Sequence, residues 1–360
     1  MIRRRGGRLF ALFASSVVII LLLVAILYQT YSLWIDHRAA DMELPANFGN
    51  SDRNLAAAAA SSASRPGEFR FAVVGDPAAR STFINIVNEL NTLKLDFAVL
   101  LGDVTRSDTQ GDHKDVRYLV GARVHTGHPM LYVVGNHDVG PGGFKLKDWE
   151  ANYGRHQCYF KRGANLFIIS HVPQVKDYDG GEGIRYLESV LQREAQSARR
   201  IFVLNHIPPA CGFEWSARTL QDDRKLRDLL EKYRVDYLIT GDYHSYARIQ
   251  KGPTTILVSG GGGSRVKGGR FGFHHAVVFS VRDDSVQERI CAVPRGSSFG
   301  TRLRYIALTE MAPFMKANAP LMAALDAVGL LAMVLFISVL IGRRCRPILN
   351  HLSHHVPEPT

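Results

Sequence analysis

Residues 69–76 read FRFAVVGD, and residues 97–103 read FAVLLGD. In each stretch a run of aromatic, β-branched and other apolar residues ends in glycine followed by aspartate. Aromatic and β-branched residues favour strands, and a short apolar run bounded by a turn residue is typical of a buried strand. The two stretches therefore predict two strands, each followed by a carboxylate.

Apolar strand-like runs and helical runs alternate along the rest of the middle of the chain. The further predicted strands cover 130–136, 165–172, 200–206, 235–242, 254–259, 275–282 and 285–293, and the predicted helices cover 82–93, 182–198 and 217–233. Strands that alternate with helices and then give way to a β-rich end indicate an α/β fold built in layers.

Five of the predicted strands end in a polar residue that can bind a metal ion: Asp76, Asp103, Asn136, His206 and Asp242. In open α/β sheets, ligands bind at the carboxyl ends of the strands. One such residue alone would be interpreted as a helix cap, but five at equivalent positions are not explained by capping. With His244 they form a set of carboxylate, amide and imidazole donors that suits Mn²⁺, Fe or Zn²⁺.

Such a donor set can support chemistry at phosphorus. A carboxylate that bridges two metal ions holds them about 3.5–4 Å apart, and such a pair serves in-line displacement through a metal-bound hydroxide. His137, next to Asn136, can protonate the leaving oxygen or stabilise the transition state. A structural zinc site of four thiolates is excluded because no two of the four cysteines are closely spaced.

Five motifs, taken in order, resemble those of the calcineurin-like metallophosphoesterases. They are FAVVGD at 71–76, LLGD at 100–103, VGNHD at 134–138, NHIP at 205–208 and GDYH at 241–244. The resemblance covers about residues 68–294, and the Gly-Asn-His-Asp block is its most specific part. It implies a four-layer αββα sandwich, which we place at 68–300, with a dinuclear metal site at one edge.

The resemblance also divides the six donors between two metal ions. Asp76 and His244 would bind the first ion, Asn136, His206 and Asp242 would bind the second, and Asp103 would bridge them. His137 would be the proton donor or transition-state stabiliser of the family.

Two positions depart from the family's pattern. The family has Asp-x-His in its first motif, but here Asp76 is followed by Pro77 and Ala78, and an alanine side chain does not bind metals. Purple acid phosphatases, a related branch, use a tyrosine three residues after the bridging aspartate, where this chain has Arg106. The last motif usually begins Gly-His, so Asp242 exchanges one donor for another and favours Mn²⁺ or Fe over Zn²⁺.

Two residues join His137 in the predicted catalytic set, each with an alternative interpretation. Arg106 either is a solvated loop residue or clamps a phosphate with its guanidinium group. Asp138 either orients a neighbouring group or shapes a turn. Three further histidines lie in or beside β runs and are expected to be structural or to lie at the substrate rim: His171, His274 and His275.

Two long apolar runs flank the predicted domain. Residues 9–35 carry no charge, and a helix needs about 20 apolar residues to cross a bilayer. The run is longer than a signal peptide's apolar region and lacks a small-x-small cleavage site. It therefore predicts an uncleaved transmembrane helix over 9–34. A second run, over 321–341, is interrupted only by Asp326 and is apolar on every side, which favours a transmembrane helix over a buried amphipathic one.

Most of the net charge of +11 belongs to the flanks of these runs. Four arginines precede the first run and three follow the second: Arg3, Arg4, Arg5 and Arg8, then Arg343, Arg344 and Arg346. By the positive-inside rule, the ends 1–8 and 342–360 would be cytoplasmic and the domain would face the periplasm or a lumen. Linkers over 35–67 and 301–320 would join it to the membrane, with 52–66 a flexible Ala/Ser-rich tether. No nucleic-acid partner is expected, because the domain has no basic stripe with interleaved aromatic residues.

The leading hypothesis is a membrane-anchored phosphoesterase that uses divalent metal ions, two by the family's pattern, with Mn²⁺ or Fe favoured. Its substrate would be a phosphomonoester or phosphodiester, and anchoring at both ends favours a membrane-associated one. The alternative is a binding or scaffold protein of the cell envelope that keeps the fold with weakened catalysis, which Ala78 and Asp242 suggest. Retention of His137 beside Asn136 favours the enzyme.

Overall fold

The computed structural model describes residues 2–60, 67–177, 179–210, 220–267, 272–296 and 299–353, giving only the backbone for 2–12, 340 and 342–353. The chain divides into two compact units. The larger unit is Arg38–Tyr305, and the described residues up to His37 and from Ile306 onward form the other.

The described part of the larger unit contains two β-sheets. Their strands are β1 Phe69–Val74, β2 Phe97–Leu100, β3 Met130–Tyr132, β4 Cys158–Arg162, β5 Asn165–Ile169, β6 Arg200–Leu204, β7 Tyr237–Thr240, β8 Tyr246–Lys251, β9 Thr254–Ser259, β10 His275–Val281 and β11 Val286–Ala292. The first sheet has the order β11-β10-β1-β2-β3, and the second has the order β4-β5-β6-β7-β9-β8. Every predicted strand is found, and β4 and β8 are additional antiparallel edge strands.

The helices lie between and beyond these strands. They are α1 Ile2–Ala40, α2 Asp52–Ala59, α3 Ser81–Asn91, α4 Gln110–Arg123, α5 Leu146–Tyr153, α6 Glu182–Glu194, α7 Asp223–Lys232, α8 Phe299–Ile306, α9 Ala312–Ala317 and α10 Ala319–Ser353. The start of the predicted helix over 217–233 lies outside the described residues. Helix α4 escaped prediction because three of its buried residues are polar, namely Asp112, His113 and Asp115, so its apolar periodicity is broken.

The core is layered as the sequence predicts. Between the sheets lies a phenylalanine-rich cluster in which Phe71 of β1 meets Phe167 of β5 edge to face, with ring centroids 5.2 Å apart. The alternate residues Ala72 and Val74 point to the opposite face of the first sheet, where α3 and α4 pack. Helices α6 and α7 cover the outer face of the second sheet. The four-layer αββα sandwich is thereby confirmed.

The segment before the sandwich is part of the folded unit, which corrects the predicted linker over 35–67. Asn50 pairs with the edge strand β3: its Nδ2 donates to the Tyr132 carbonyl at 2.7 Å, and its Oδ1 accepts from the Tyr132 amide at 2.9 Å. Phe48 joins the core beside the same strand. An asparagine side chain that mimics a strand's backbone is a non-local pairing and leaves no pattern in the sequence.

The predicted flexible tether over 52–66 is wrong for its first half. Residues 52–59 form α2, which is capped by the Ser51 hydroxyl and buries Leu55 and Ala58. Alanine is the strongest helix former, so the composition that suggested a tether was also compatible with a helix. Residues 61–66 lie outside the described residues.

The second unit contains two helices that are long and apolar enough to span a membrane, over Phe13–Ala40 and Ala319–Val339. An ion pair between Asp36 and Lys316 links the segments that carry them. The segment over 301–320, predicted as a linker, is helical and consists of α8, a π-helical turn at Ala307–Met311, α9 and the start of α10. These two apolar helices indicate membrane association.

Candidate metal centre

The six predicted donors converge where the carboxyl ends of both sheets meet. Residues from the first sheet and the second sheet touch across this edge: His206 Nε2 lies 3.1 Å from Asn136 Oδ1 and 3.3 Å from Asp103 Oδ1. The parallel pairing of β1 with β2, β2 with β3 and β6 with β7 points these strand ends in one direction within each sheet. The predicted clustering of donors at one edge is therefore found in the structure.

His206 is the centre of one half of the site. Its Nδ1 donates to the Leu101 carbonyl at 2.7 Å, so Nε2 faces Asp103, Asn136 and Asp242. Metal-binding histidines are oriented in this way by a hydrogen bond from the other ring nitrogen. Burial alone would lower the pKa of His206, but the charges of Asp103, Asp76 and Asp242 and a hydrogen bond to Asp103 together outweigh it and raise the pKa to about 10. Burial would raise the pKa of Asp103, but the interactions with His206 and His137 together outweigh burial and lower the pKa to about 2.

Asp76 and His244 form the other half, which also borders Asp103. One donor atom from each of these three residues lies within 4.8 Å of the others. Asp76 is fully buried, and neither of its carboxylate oxygens accepts a hydrogen bond from a described residue. His244 Nε2 lies 3.5 Å from Asp76 Oδ1. Burial raises the pKa of Asp76. A buried carboxylate without donors is costly, so this donor set fits a bound cation.

Four of the six donors have left-handed backbone conformations. The φ angles are 58° at Asp76, 52° at Asp103, 61° at Asp242 and 35° at His244. Residues other than glycine seldom adopt such angles, and the strain concentrates at functional sites. Gly135 permits the tight packing there, since a Cβ at this position would lie 2.1 Å from the Asp103 amide nitrogen.

His137 lies at the open side of the site. Its amide donates to Asp103 Oδ1 at 2.9 Å, its Nε2 lies 4.0 Å from Asp103 Oδ2, and 43% of its side chain is exposed. The ring therefore borders both the donor cluster and solvent, where a group that exchanges protons with a substrate has to be.

Asp138 joins the loops that carry the donors. Its Oδ1 accepts hydrogen bonds from the Thr105 amide and hydroxyl, both at 3.0 Å, and its Oδ2 accepts one from the Gly135 amide at 2.8 Å. Burial, followed by the charge of Asp103, raises its pKa to about 6. The bonds to Thr105 fit the orienting role predicted for Asp138, and the bond to Gly135, three residues earlier, fits the alternative role in a turn.

Arg106 makes a contact that neither of its two interpretations anticipated. Its guanidinium carbon lies 3.5 Å from the centroid of the Tyr305 ring, and its Nε donates to the Ala78 carbonyl at 3.1 Å. Arg106 thus contacts the backbone at the position where the family has its histidine. Ala78 and Ala79 are both left-handed, with φ of 47° and 46°.

The three other histidines divide between the two roles predicted for them. His274 and His275 are buried, and their Nδ1 atoms are hydrogen-bonded to the carbonyls of Gly261 and Phe273. His171 instead lines a cleft of about 390 Å³ next to His206. Burial lowers the pKa of His171 to about 4, so it is neutral at physiological pH.

This cleft contains residues that the sequence reasoning missed, among them Lys145, Gln174 and Lys176. Lys145 lies after β3, whereas Gln174 and Lys176 lie in the loop after β5. The sequence contained a signal for the loop after β5. Strand β5 is parallel to β6, so the residues after its carboxyl end reach the same edge as His206. The predicted strand over 165–172 ends in Val172, which does not bind metals, so the loop after it was not included in the predicted site.

Comparison with known proteins places the domain in a family. Residues 69–246 match the family model described as calcineurin-like phosphoesterase. Among solved structures, GAP50, the anchor in the inner membrane complex of Plasmodium, is 14% identical with a TM-score of 0.50. The match covers 68% of this chain and 96% of the GAP50 chain. No curated protein matches the sequence.

Two phosphatases are among the other similar structures. The purple acid phosphatase PPD1 from yellow lupin (Lupinus luteus) seeds is 19% identical, with a TM-score of 0.47 and coverage of 64% of this chain and 53% of its own. A dimetal phosphatase from Danio rerio is 10% identical, with a TM-score of 0.49. The match covers 63% of this chain and 97% of the Danio rerio chain. On the family match and the fold, the chain belongs to the calcineurin-like phosphoesterase family, whose members depend on divalent metal ions.

Proposed function

We propose that this protein is a membrane-anchored phosphoesterase that depends on divalent metal ions. The observation that carries the proposal is the donor cluster, in which His206 contacts Asp103 and Asn136 across the two sheets. Both oxygens of Asp76 are buried there and accept no hydrogen bond from the described residues. The family supplies the expected reaction class, hydrolysis of a phosphomonoester or phosphodiester.

The donors divide into two sets that share one carboxylate. Asp76 and His244 would hold a first ion, Asn136, His206 and Asp242 a second, and Asp103 both. The additional carboxylate at 242 favours Mn²⁺ or Fe over Zn²⁺. When bound, such ions activate water and neutralise the charge that develops on the phosphoryl group.

His137 would donate a proton to the leaving oxygen or stabilise charge in the transition state. Its partly exposed ring beside Asp103 supports this role, and the hydrogen bond from its amide to the Asp103 carboxylate fixes the backbone. Asp138 would act through position alone, because Thr105 and Gly135 occupy its carboxylate oxygens.

The two apolar helices would anchor the domain at both of its ends. By the positive-inside rule, the arginines at positions 3–8 and 343–346 would put both termini in the cytoplasm. The metal centre would then face the periplasm or a lumen and would act on a membrane-associated substrate.

A second candidate function is a binding or scaffold role in the cell envelope. It is favoured by Ala78, which removes one donor of the family's first motif. GAP50, which has the same fold at 14% identity, is described as an anchor.

Hydrolysis of nitrophenyl esters by the full-length protein in detergent micelles tests these alternatives. The protein would be stripped of metal, reloaded with Mn²⁺, Fe²⁺ or Zn²⁺, and assayed with a monoester and a diester. We expect metal-dependent release, and we expect His137→Ala to lower kcat by about 10²–10⁴-fold without loss of bound metal. The exposed His125→Ala is the matched control. No release from protein that binds metal would reject the enzyme and favour the scaffold.

A further inference from the structure

A groove leads away from the candidate metal centre between the loops that follow β3 and β5. It consists of two connected clefts of about 390 and 350 Å³, both lined by Asn136 and Lys176. His206 lines the larger cleft, and His137 lines the smaller one. Pockets of this size hold a small organic molecule. The groove therefore has room for the alcohol part of an ester beside the group that would protonate its leaving oxygen.

The larger cleft is mainly apolar. Its walls include Val139 and Leu146 on one side and Val172, Pro173 and Ile207 on the other. Its described lining contains no serine, threonine or tyrosine hydroxyl. Apolar surface of this kind binds apolar groups by removing both from water.

Two of the polar side chains in the cleft are engaged within the protein. Gln174 Nε2 donates to the Asp177 carboxylate, and Lys145 Nζ donates to the Pro141 carbonyl. They are therefore less available to bind the hydroxyls of a sugar. Hydroxyl groups buried without partners are costly, so a polyhydroxylated ligand loses more than an apolar one against the apolar wall of the cleft.

Lys176 differs from these neighbours. It is exposed, it lines both clefts, and its ammonium group has no ion pair or hydrogen bond within the described part of the chain. An unpaired cation between the apolar cleft and His137 is placed to meet the negative charge of a phosphoryl group.

We propose that the substrate is a phosphate ester of an apolar alcohol, aryl or alkyl. The alcohol part would lie in the larger cleft against Val139, Leu146 and Val172, with the phosphoryl charge beside Lys176. This inference rests on the proposed phosphoesterase function. It excludes sugar phosphates as the preferred class.

The test compares two esters on the full-length, Mn²⁺-loaded protein, with phosphate release as the readout. We expect kcat/KM to be roughly tenfold or more higher for hexyl phosphate than for glucose 6-phosphate, since both are esters of primary alcohols and differ in the apolar contacts of the alcohol part. Leu146→Gln and Val139→Thr should lower this ratio severalfold. Val175→Thr, at an exposed position outside the groove, should leave it unchanged. A ratio of one, or a preference for the sugar phosphate, would overturn the proposal.

A binding measurement separates failure of this inference from failure of the proposed function. If neither ester is hydrolysed and the nitrophenyl monoester and diester are not hydrolysed either, the proposed function fails, and calorimetry with 1-naphthylphosphonate and methylphosphonate then decides on the groove alone. Tighter binding of the naphthyl compound, weakened by Leu146→Gln, would support the apolar cleft, and equal affinities would reject it. Lys176→Ala should weaken both phosphonates, and Lys176→Arg should restore them. No effect of Lys176→Ala would reject its role.

Discussion

The two halves of the candidate metal centre are built differently. Around His206, side chains position one another directly: its Nε2 lies within 3.3 Å of oxygens of both Asn136 and Asp103, and its Nδ1 is held by the Leu101 carbonyl. Around Asp76, the only ring within 4 Å of its carboxylate among the described ion pairs is that of His244, at 3.5 Å. The half that lacks the family's histidine is thus the half with fewer side-chain contacts.

In the Asp76 half, hydrogen bonds to backbone carbonyls hold the loop that follows Asp76. Arg106 Nε donates to the Ala78 carbonyl at 3.1 Å, and Arg304 Nη2 donates to the Ala79 carbonyl at 3.5 Å. Arg304 is itself buried and paired with Asp115 at 2.6 Å. A left-handed conformation costs roughly 1–2 kcal/mol for a residue such as alanine. The Asp76 half therefore keeps a strained loop without the family's histidine because two arginine side chains bind the carbonyls of that loop.

The largest effect is expected where the two halves meet. Asp103→Asn should abolish phosphoesterase activity to background and release metal from both halves, because Asp103 would be the shared ligand. Metal content after dialysis and nitrophenol release measure this. The exposed Asp228→Asn is the control. Full metal content in Asp103→Asn would show that the halves do not share this carboxylate.

The support of the Asp76 half can be broken without touching a donor. Arg304→Ala leaves Asp115 buried without its cation, which should destabilise the domain by about 3–5 kcal/mol and weaken Mn²⁺ binding at that half. The double variant Arg304→Met/Asp115→Leu removes both charges and should recover most of the stability. It still lacks the hydrogen bond from Arg304 to the Ala79 carbonyl. Calorimetric Mn²⁺ titration of the double variant is decisive, since unchanged affinity would reject the role of Arg304 in positioning the loop.

The loop after β3 in the His206 half depends on a neutral histidine. His113 Nε2 bonds to the Asp138 carbonyl at 2.8 Å and Nδ1 to the Tyr153 hydroxyl at 2.9 Å, and burial lowers the pKa of His113 to about 4. Because the unfolded chain binds the proton more readily, stability is lost as the pH falls from about 6.5 towards 4. The free energy of unfolding should fall by about 2 kcal/mol between pH 6.5 and pH 5 because of this one group.

Denaturation of the full-length protein in micelles, followed by tryptophan fluorescence, measures this dependence. His113→Gln should reduce the pH slope, whereas the exposed His125→Gln should not. An identical slope in His113→Gln would show that the loop does not depend on this group.

The smallest expected effect comes from restoring the missing donor. Ala78→His should strengthen Mn²⁺ binding at the Asp76 half by about tenfold, since histidine tolerates the left-handed conformation better than most residues. The comparison variant is Ala79→His, next to it in the same conformation. Equal effects of the two would show that position 78 does not face the ion.

The sequence predicted those features that repeat along the chain. Five of the predicted apolar strands end in a polar residue, so the position of Asp76, Asp103 and Asn136 at one edge was expected from the carboxyl ends of neighbouring strands. The contacts of Arg106 with Tyr305 and of Arg304 with Asp115 join residues almost 200 positions apart, and no local pattern marks them. Helix α2 was missed because its alanines were interpreted as a tether.

Anomalous diffraction from crystals grown with Mn²⁺ would show whether Asp103 is shared between two metal ions. We expect two manganese peaks on either side of the Asp103 carboxylate, about 3.5–4 Å apart. One should be bound by His206 and the other by Asp76 and His244. Crystals saturated with Mn²⁺ that show no peak within bonding distance of Asp103 or His206 would contradict this expectation.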